Sequence, residues 1–121
     1  MDKYSGPERR KFPRLDVNFV VSYRLREVPD SADLSQTKNV SQGGMLITTN
    51  KKFAPGIHLA VTIRFPFVPQ KIELTGEVVE SREVVRELIY ETRVKFIDLD
   101  EGFLRELGEF VKERLDKWLK K

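Results

Sequence analysis

The sequence predicts an all-β chain: six antiparallel strands that close into a barrel, followed by one C-terminal α-helix. Three observations carry this. Apolar and polar residues alternate with a period of two as far as Phe96. Clusters of Pro, Gly, Asn, Asp and Ser interrupt the alternation and supply the turns. Beyond Asp98 the apolar residues recur at helical spacing instead. Six strands joined by short turns hide their edges best by closing on themselves.

Each element follows in order. Val17, Phe19, Val21, Tyr23 and Leu25 alternate with Asn18, Val20, Ser22, Arg24 and Arg26, predicting a first strand from Asp16 to Glu27. Val28-Pro29-Asp30-Ser31 is a turn cluster, because Pro fixes φ and Asp and Ser bond back onto local backbone. A second strand, Leu34 to Val40, runs into Asn39-Val40-Ser41-Gln42-Gly43-Gly44, and the β-branched stretch from Met45 to Thr49 starts a third. After the loop from Asn50 to Gly56, Ile57, Leu59, Val61, Ile63 and Phe65 form a fourth strand, ended by Pro66-Phe67-Val68-Pro69. Ile72, Leu74, Gly76 and Val78 form the fifth, with a phase slip expected at Val79 and a bulge or close approach at Gly76. Leu88, Tyr90, Thr92, Val94 and Phe96 form the sixth.

Asp98-Leu99-Asp100-Glu101 resembles a capping box with Asp98 as the cap, opening a helix from Leu99 to Leu119. Its apolar face holds Phe103, Leu107, Phe110, Val111, Leu115 and Trp118. Burial contributes about 1.5–3 kcal/mol per large apolar side chain, so this face packs across the barrel or onto a partner, with Trp118 as core or cap or, in the alternative, a dimer contact.

With 121 residues, 40% of them hydrophobic, the chain is one domain. It divides into a flexible basic N-terminal arm (1–14), a barrel (15–98) and the helix (99–121). The absence of cysteine excludes disulfides, thiol catalysis and cysteine-held metals. The start has no apolar signal segment, and no run of about 18 apolar residues spans a bilayer, so a cytoplasmic protein without membrane insertion is expected. His58 is the only histidine and lies on a polar phase, without a second soft ligand for a metal. Glu73, Glu77, Glu80, Glu106 and Glu109 lie where a solvated face puts them, and no P-loop occurs, so no enzyme activity and no cofactor are expected.

The charge is unevenly placed. Residues 1–14 hold Lys3, Arg9, Arg10, Lys11 and Arg14 against Asp2 and Glu8, which accounts for the whole net charge of +3. A binder of long nucleic acid would spread basic residues over its folded body, whereas a basic arm suits one small anionic ligand. Arg10 and Arg14 flank Pro13, which opposes a helix and biases Phe12 to extended geometry. An arginine fork can meet guanine O6 and N7 in plane or grip a phosphate in two places. Asn39 and Ser41 point to one side of an extended chain, and Gly43 and Gly44 leave backbone open to a flat ligand. The same residues also make a tight turn between strands.

Arg10-x-x-x-Arg14 followed by Asn39-x-Ser41-x-x-Gly44 resembles the paired signature of the PilZ domain family, receptors for the bacterial second messenger cyclic di-GMP. The resemblance implies a six-stranded antiparallel Greek-key barrel with a C-terminal helix. It also implies ligand contacts from Arg10 and Arg14 to guanine and phosphate, from Asn39 and Ser41 to the other guanine, and a close approach at Gly44, with Gly43 beside it counted among the ligand-binding residues. Arg9 stands where the family varies, at a position thought to influence whether one ligand or a stacked pair binds. By this resemblance the chain is a bacterial adaptor that signals through an unidentified downstream protein, as a monomer or homodimer. Two alternatives belong to other classes. One is a small barrel binding single-stranded RNA or DNA through the arm and through Phe12, Phe19 and Tyr23. The other is an interaction module without a ligand, presenting Phe65-Pro66-Phe67-Val68 as an exposed contact.

Overall fold

The computed structural model describes residues 12–28 and 31–119, without the side chains of Trp118 and Leu119. The elements are β1 (Arg14–Leu15), β2 (Val20–Leu25), β3 (Asp33–Ser41), β4 (Gly44–Thr49), β5 (His58–Ile63), β6 (Ile72–Val85), β7 (Ile89–Ile97) and α1 (Glu101–Leu119). All pairings are antiparallel, in the order β1-β3-β2-β5-β6-β7-β4, and a further β3–β4 pairing closes β2 to β7 into a six-stranded barrel. Closure removes the sheet edges that six short strands would otherwise expose. β1 lies outside the ring as a two-residue addition to β3.

The inward phases fill the barrel. Val21 and Tyr23 of β2, Val40 of β3, Met45 and Ile47 of β4, Leu59, Val61 and Ile63 of β5, Leu74 and Val78 of β6 and Val94 of β7 are all buried. α1 closes one end with Leu107, Phe110 and Val111. There Phe65 is fully buried, edge-on to Phe19 at 5.6 Å and stacked on Phe67 at 5.4 Å. Phe103 and Phe110 of the helix join the same cluster. Of the two readings of the stretch from Phe65 to Val68, an exposed contact or a cap on the barrel, the packing matches the cap: Phe65 is buried and Phe67 partly buried against the core. Phe19 and Tyr23 likewise pack inward and are not displayed to a nucleic acid.

Several boundaries move for physical reasons. Regular pairing in the first predicted strand covers only Val20–Leu25. Residues 17–19 are instead tied to Thr37, whose buried hydroxyl accepts from Phe19 N at 2.9 Å and donates to Val17 O at 2.6 Å. Thr37 N donates to Phe19 O, and Asn18 Nδ2 donates to Thr37 O. Arg14, assigned to the arm, belongs to β1; the flexibility expected of the arm otherwise falls on residues 1–11, which lie outside the described residues. The role expected of Trp118 lies outside them too.

β6 and β7 form a hairpin longer than predicted, reaching Val85 and turning through Leu88, which is 65% exposed. The phase slip is present between Val78 and Glu80, and a Cβ on Gly76 would come within 2.9 Å of Val94. The helix cap is Asp100, not Asp98. Asp100 Oδ2 accepts from Phe103 N at 3.1 Å and its carbonyl accepts from Leu104 N, while Asp98, with a left-handed φ of 57°, lies two residues too early to cap.

Candidate functional site

A groove of about 220 Å³ lies on the outer face of the barrel where β1, β3, β4 and β7 meet. Strand pairing assembles it. Arg14 stands opposite Ser41 in the β1–β3 ladder, which sets the arm's last arginine beside the Asn39 motif. Val40 points inward and is fully buried, so alternation turns Asn39 and Ser41 outward on either side of it. Asn39 faces Leu46 and Leu46 faces Arg93, while Gly44 faces Lys95, so two cross-strand rows carry the motif's surface onto β7.

The turn is held from four sides. Ser41 Oγ accepts from Gly43 N at 3.1 Å and from Gly44 N at 3.2 Å, and lies 3.3 Å from Gly44 O as a donor. Its hydroxyl is thereby committed to the turn. A Cβ on Gly44 would run into the Val94 carbonyl, so glycine is required there by β7 itself. A Cβ on Gly43 would meet the Phe12 ring at 2.8 Å, and the Gln42 carboxamide occupies the gap at Gly108 of α1, where a Cβ would lie 2.6 Å from Oε1.

The polar lining has one dominant sign. Arg14, Arg93 and Lys95 surround Asn39 and Ser41, with Met45 and Val79 as apolar wall. Lys95 Nζ lies 3.8 Å from Glu77 Oε2, and Glu77 Oε1 lies 3.6 Å from His58. The side chains of Arg93 and Asn39 have no hydrogen-bond or ion-pair partner among the described residues, although both are half-buried. Half-buried polar groups left without partners are available to a ligand. Guanidinium, ammonium and carboxamide groups on one concave surface suit an anion that also has a planar edge of donors and acceptors.

Of the residues singled out in the sequence, Arg14, Asn39, Ser41, Gly43 and Gly44 line this groove together. Arg9 and Arg10 lie outside the described residues. Sequence reasoning missed Arg93, Lys95 and Val79. The first two sit on the polar phase of a strand, where they read as solvated face, and only the β4–β7 register places them opposite the motif. Among the described residues no cluster of three His, Cys, Asp or Glu could hold a metal, and no helix is long and apolar enough to cross a membrane.

The barrel is closed and carries a cationic groove on its outer face. The profile of the PilZ domain matches residues 8–113, and the chain belongs to that family. Solved structures share the fold at low identity. The inhibitor of motility MotI/DgrA from Bacillus subtilis superposes with a TM-score of 0.77 at 19% identity, over 96% of this chain and 56% of that one. For the PilZ domain of YcgR from Escherichia coli with c-di-GMP the values are 0.64 and 14%, over 94% and 99%. For the K. pneumonia MrkH–c-di-GMP complex they are 0.68 and 16%, over 95% and 57%. The chain thus spans little more than half the length of MotI and MrkH. No curated protein sequence matches it.

Proposed function

We propose that this chain is a cyclic di-GMP receptor that binds the dinucleotide in the groove between β1, β3, β4 and β7 and passes the signal to another protein. One observation carries the reading. The Arg14–Ser41 pairing joins the two halves of the PilZ signature into one surface, with Asn39 facing outward and Arg93 and Lys95 opposite. The ligand named with two similar structures, c-di-GMP, has the matching chemistry. Its two phosphates take guanidinium or ammonium groups, and its guanine edges take an arginine fork or a carboxamide.

In this reading Arg14 and Arg93 grip phosphate or guanine, Asn39 hydrogen-bonds a base edge, and Ser41 keeps the turn in shape. Arg10 and Arg9 contribute from the arm, as the family signature implies. The protein works without catalysis or cofactor, in the bacterial cytoplasm, and its output is a changed surface read by a partner protein. Tyr23 is buried and Phe19 packs partly buried against the core, leaving Phe12 as the one of the three aromatics that lines the groove, which supports the dinucleotide over a single-stranded RNA.

Calorimetric titration with cyclic di-GMP, GMP and a short single-stranded RNA tests this. Saturable binding of the cyclic dinucleotide alone is expected; equal binding of GMP, or binding of RNA only, overturns it.

A further inference from the structure

Phe12 and Gly43 are intervening positions of the two motifs: Phe12 lies inside Arg10-x-x-x-Arg14, and Gly43 inside Asn39-x-Ser41-x-x-Gly44. The fold brings them into contact. A side chain on Gly43 would meet Phe12 Cδ2 at 2.8 Å and Cε2 at 3.2 Å, so the ring occupies space that only glycine leaves open. Two residues further on, Arg14 forms a rung with Ser41. Phe12 sits at a bend just before β1, and Phe12 and Arg14 both line the groove.

We infer that Phe12 is a positioning residue: its ring, seated on Gly43, fixes β1 on the motif turn so that Arg14 projects into the groove. What the arginines grip rests on the cyclic di-GMP reading. The seat itself is a property of the free chain.

Three features make the seat a working anchor. β1 is only two residues long, too short a ladder to hold an arm by backbone bonds alone. Pro13 joins ring to rung, and its fixed φ makes the link stiff. On the other side, Gly43 is itself held, by the Ser41 hydroxyl before it and by the packing of Gly44 against β7 after it. Phe12 lies two residues from Arg14, so the ring contact bears directly on where that arginine stands. An Arg14 placed in advance reduces the ordering cost that the ligand must offset, which appears as affinity.

The test is a double-mutant cycle read in two ways: cyclic di-GMP affinity by calorimetry, and amide exchange of residues 14–15 in the free protein. Phe12→Ala is expected to lose about tenfold in affinity. Gly43→Ala should lose several-fold, because its Cβ lifts the ring, and the double variant should be no worse than Phe12→Ala alone. Adding Phe12→Leu to Gly43→Ala should recover part of that loss, since the smaller side chain yields to the new methyl. In both single variants the β1 amides should exchange faster while those of the β4–β7 ladder stay protected. Additive losses would mean that the ring touches ligand directly, and unchanged β1 exchange in Phe12→Ala would mean that the ladder holds without it; either overturns the inference. Should the wild type fail to bind cyclic di-GMP, the functional reading falls, while exchange in the free protein still decides whether Phe12 positions β1.

Discussion

Replacing Gly44 by alanine distinguishes a glycine kept bare for a ligand from one kept bare for a neighbouring strand. The added Cβ would run into the Val94 carbonyl and come within 3.0 Å of Lys95 Cα and 3.1 Å of the Val94 carbonyl carbon. All three atoms are backbone of β7, paired on its other side with β6, so no side-chain rotation relieves the contact. Overpacking of this kind costs about 1–3 kcal/mol. The Phe96 N to Gly43 O bond at 2.9 Å, next to the clash, is strained with it and adds about 1 kcal/mol. The sum is about 2–4 kcal/mol, which at about 4 °C per kcal/mol for a domain of this size lowers the melting temperature by about 8–16 °C. Thermal and urea melts followed by circular dichroism measure this, beside a titration with cyclic di-GMP. A variant that melts like the wild type yet no longer binds would refute the reasoning and return Gly44 to the ligand-approach role expected from the motif.

Three further predictions follow from individual contacts. Arg93→Ala should weaken cyclic di-GMP binding by about 1–3 kcal/mol without lowering the melting temperature, and Arg93→Lys should restore only part of the loss, since lysine keeps the charge and lacks the fork; equal affinity in all three proteins would remove Arg93 from the site. Thr37→Val keeps the shape but leaves Phe19 N and Val17 O without their partner, so urea melts should show a loss of about 2–4 kcal/mol, and a neutral result would mean that water replaces the hydroxyl. Burial raises the pKa of Tyr23 above its ordinary 10.0, with the hydrogen bond from the Asn50 backbone pulling the other way. Because the folded value is the higher one, the phenol's contribution is complete below pH 10 and is lost as pH rises through the folded pKa. Urea midpoints between about pH 9 and pH 11 should therefore fall more steeply for the wild type than for Tyr23→Phe, and parallel slopes would exclude Tyr23 as the titrating group.

The alternation of apolar and polar residues is a local property, and what depends on it was legible in the chain. It marks which side of each strand is buried, so the barrel phases, the slip at Val79, the close approach at Gly76 and the switch to an amphipathic helix could all be read without coordinates. The two motifs were legible for a similar reason: arginine forks around a proline and an Asn–Ser–Gly stretch are chemically unusual wherever they occur. Alternation carries no information about which strand lies alongside which. Only tertiary pairing sets Arg14 against Ser41 and brings Arg93 and Lys95 across from the motif, so residues that read as solvated face become the wall of a groove. Pairing likewise decides that Gly44 is bare because a β7 carbonyl approaches it, and Gly43 because a ring rests on it. The backbone of residues 17–19 spends its hydrogen bonds on a threonine far along the chain, and Asp100 caps the helix because Asp98 has already turned left-handed. Residue type and period are written locally, whereas contact between distant segments is settled only when the whole core closes at once.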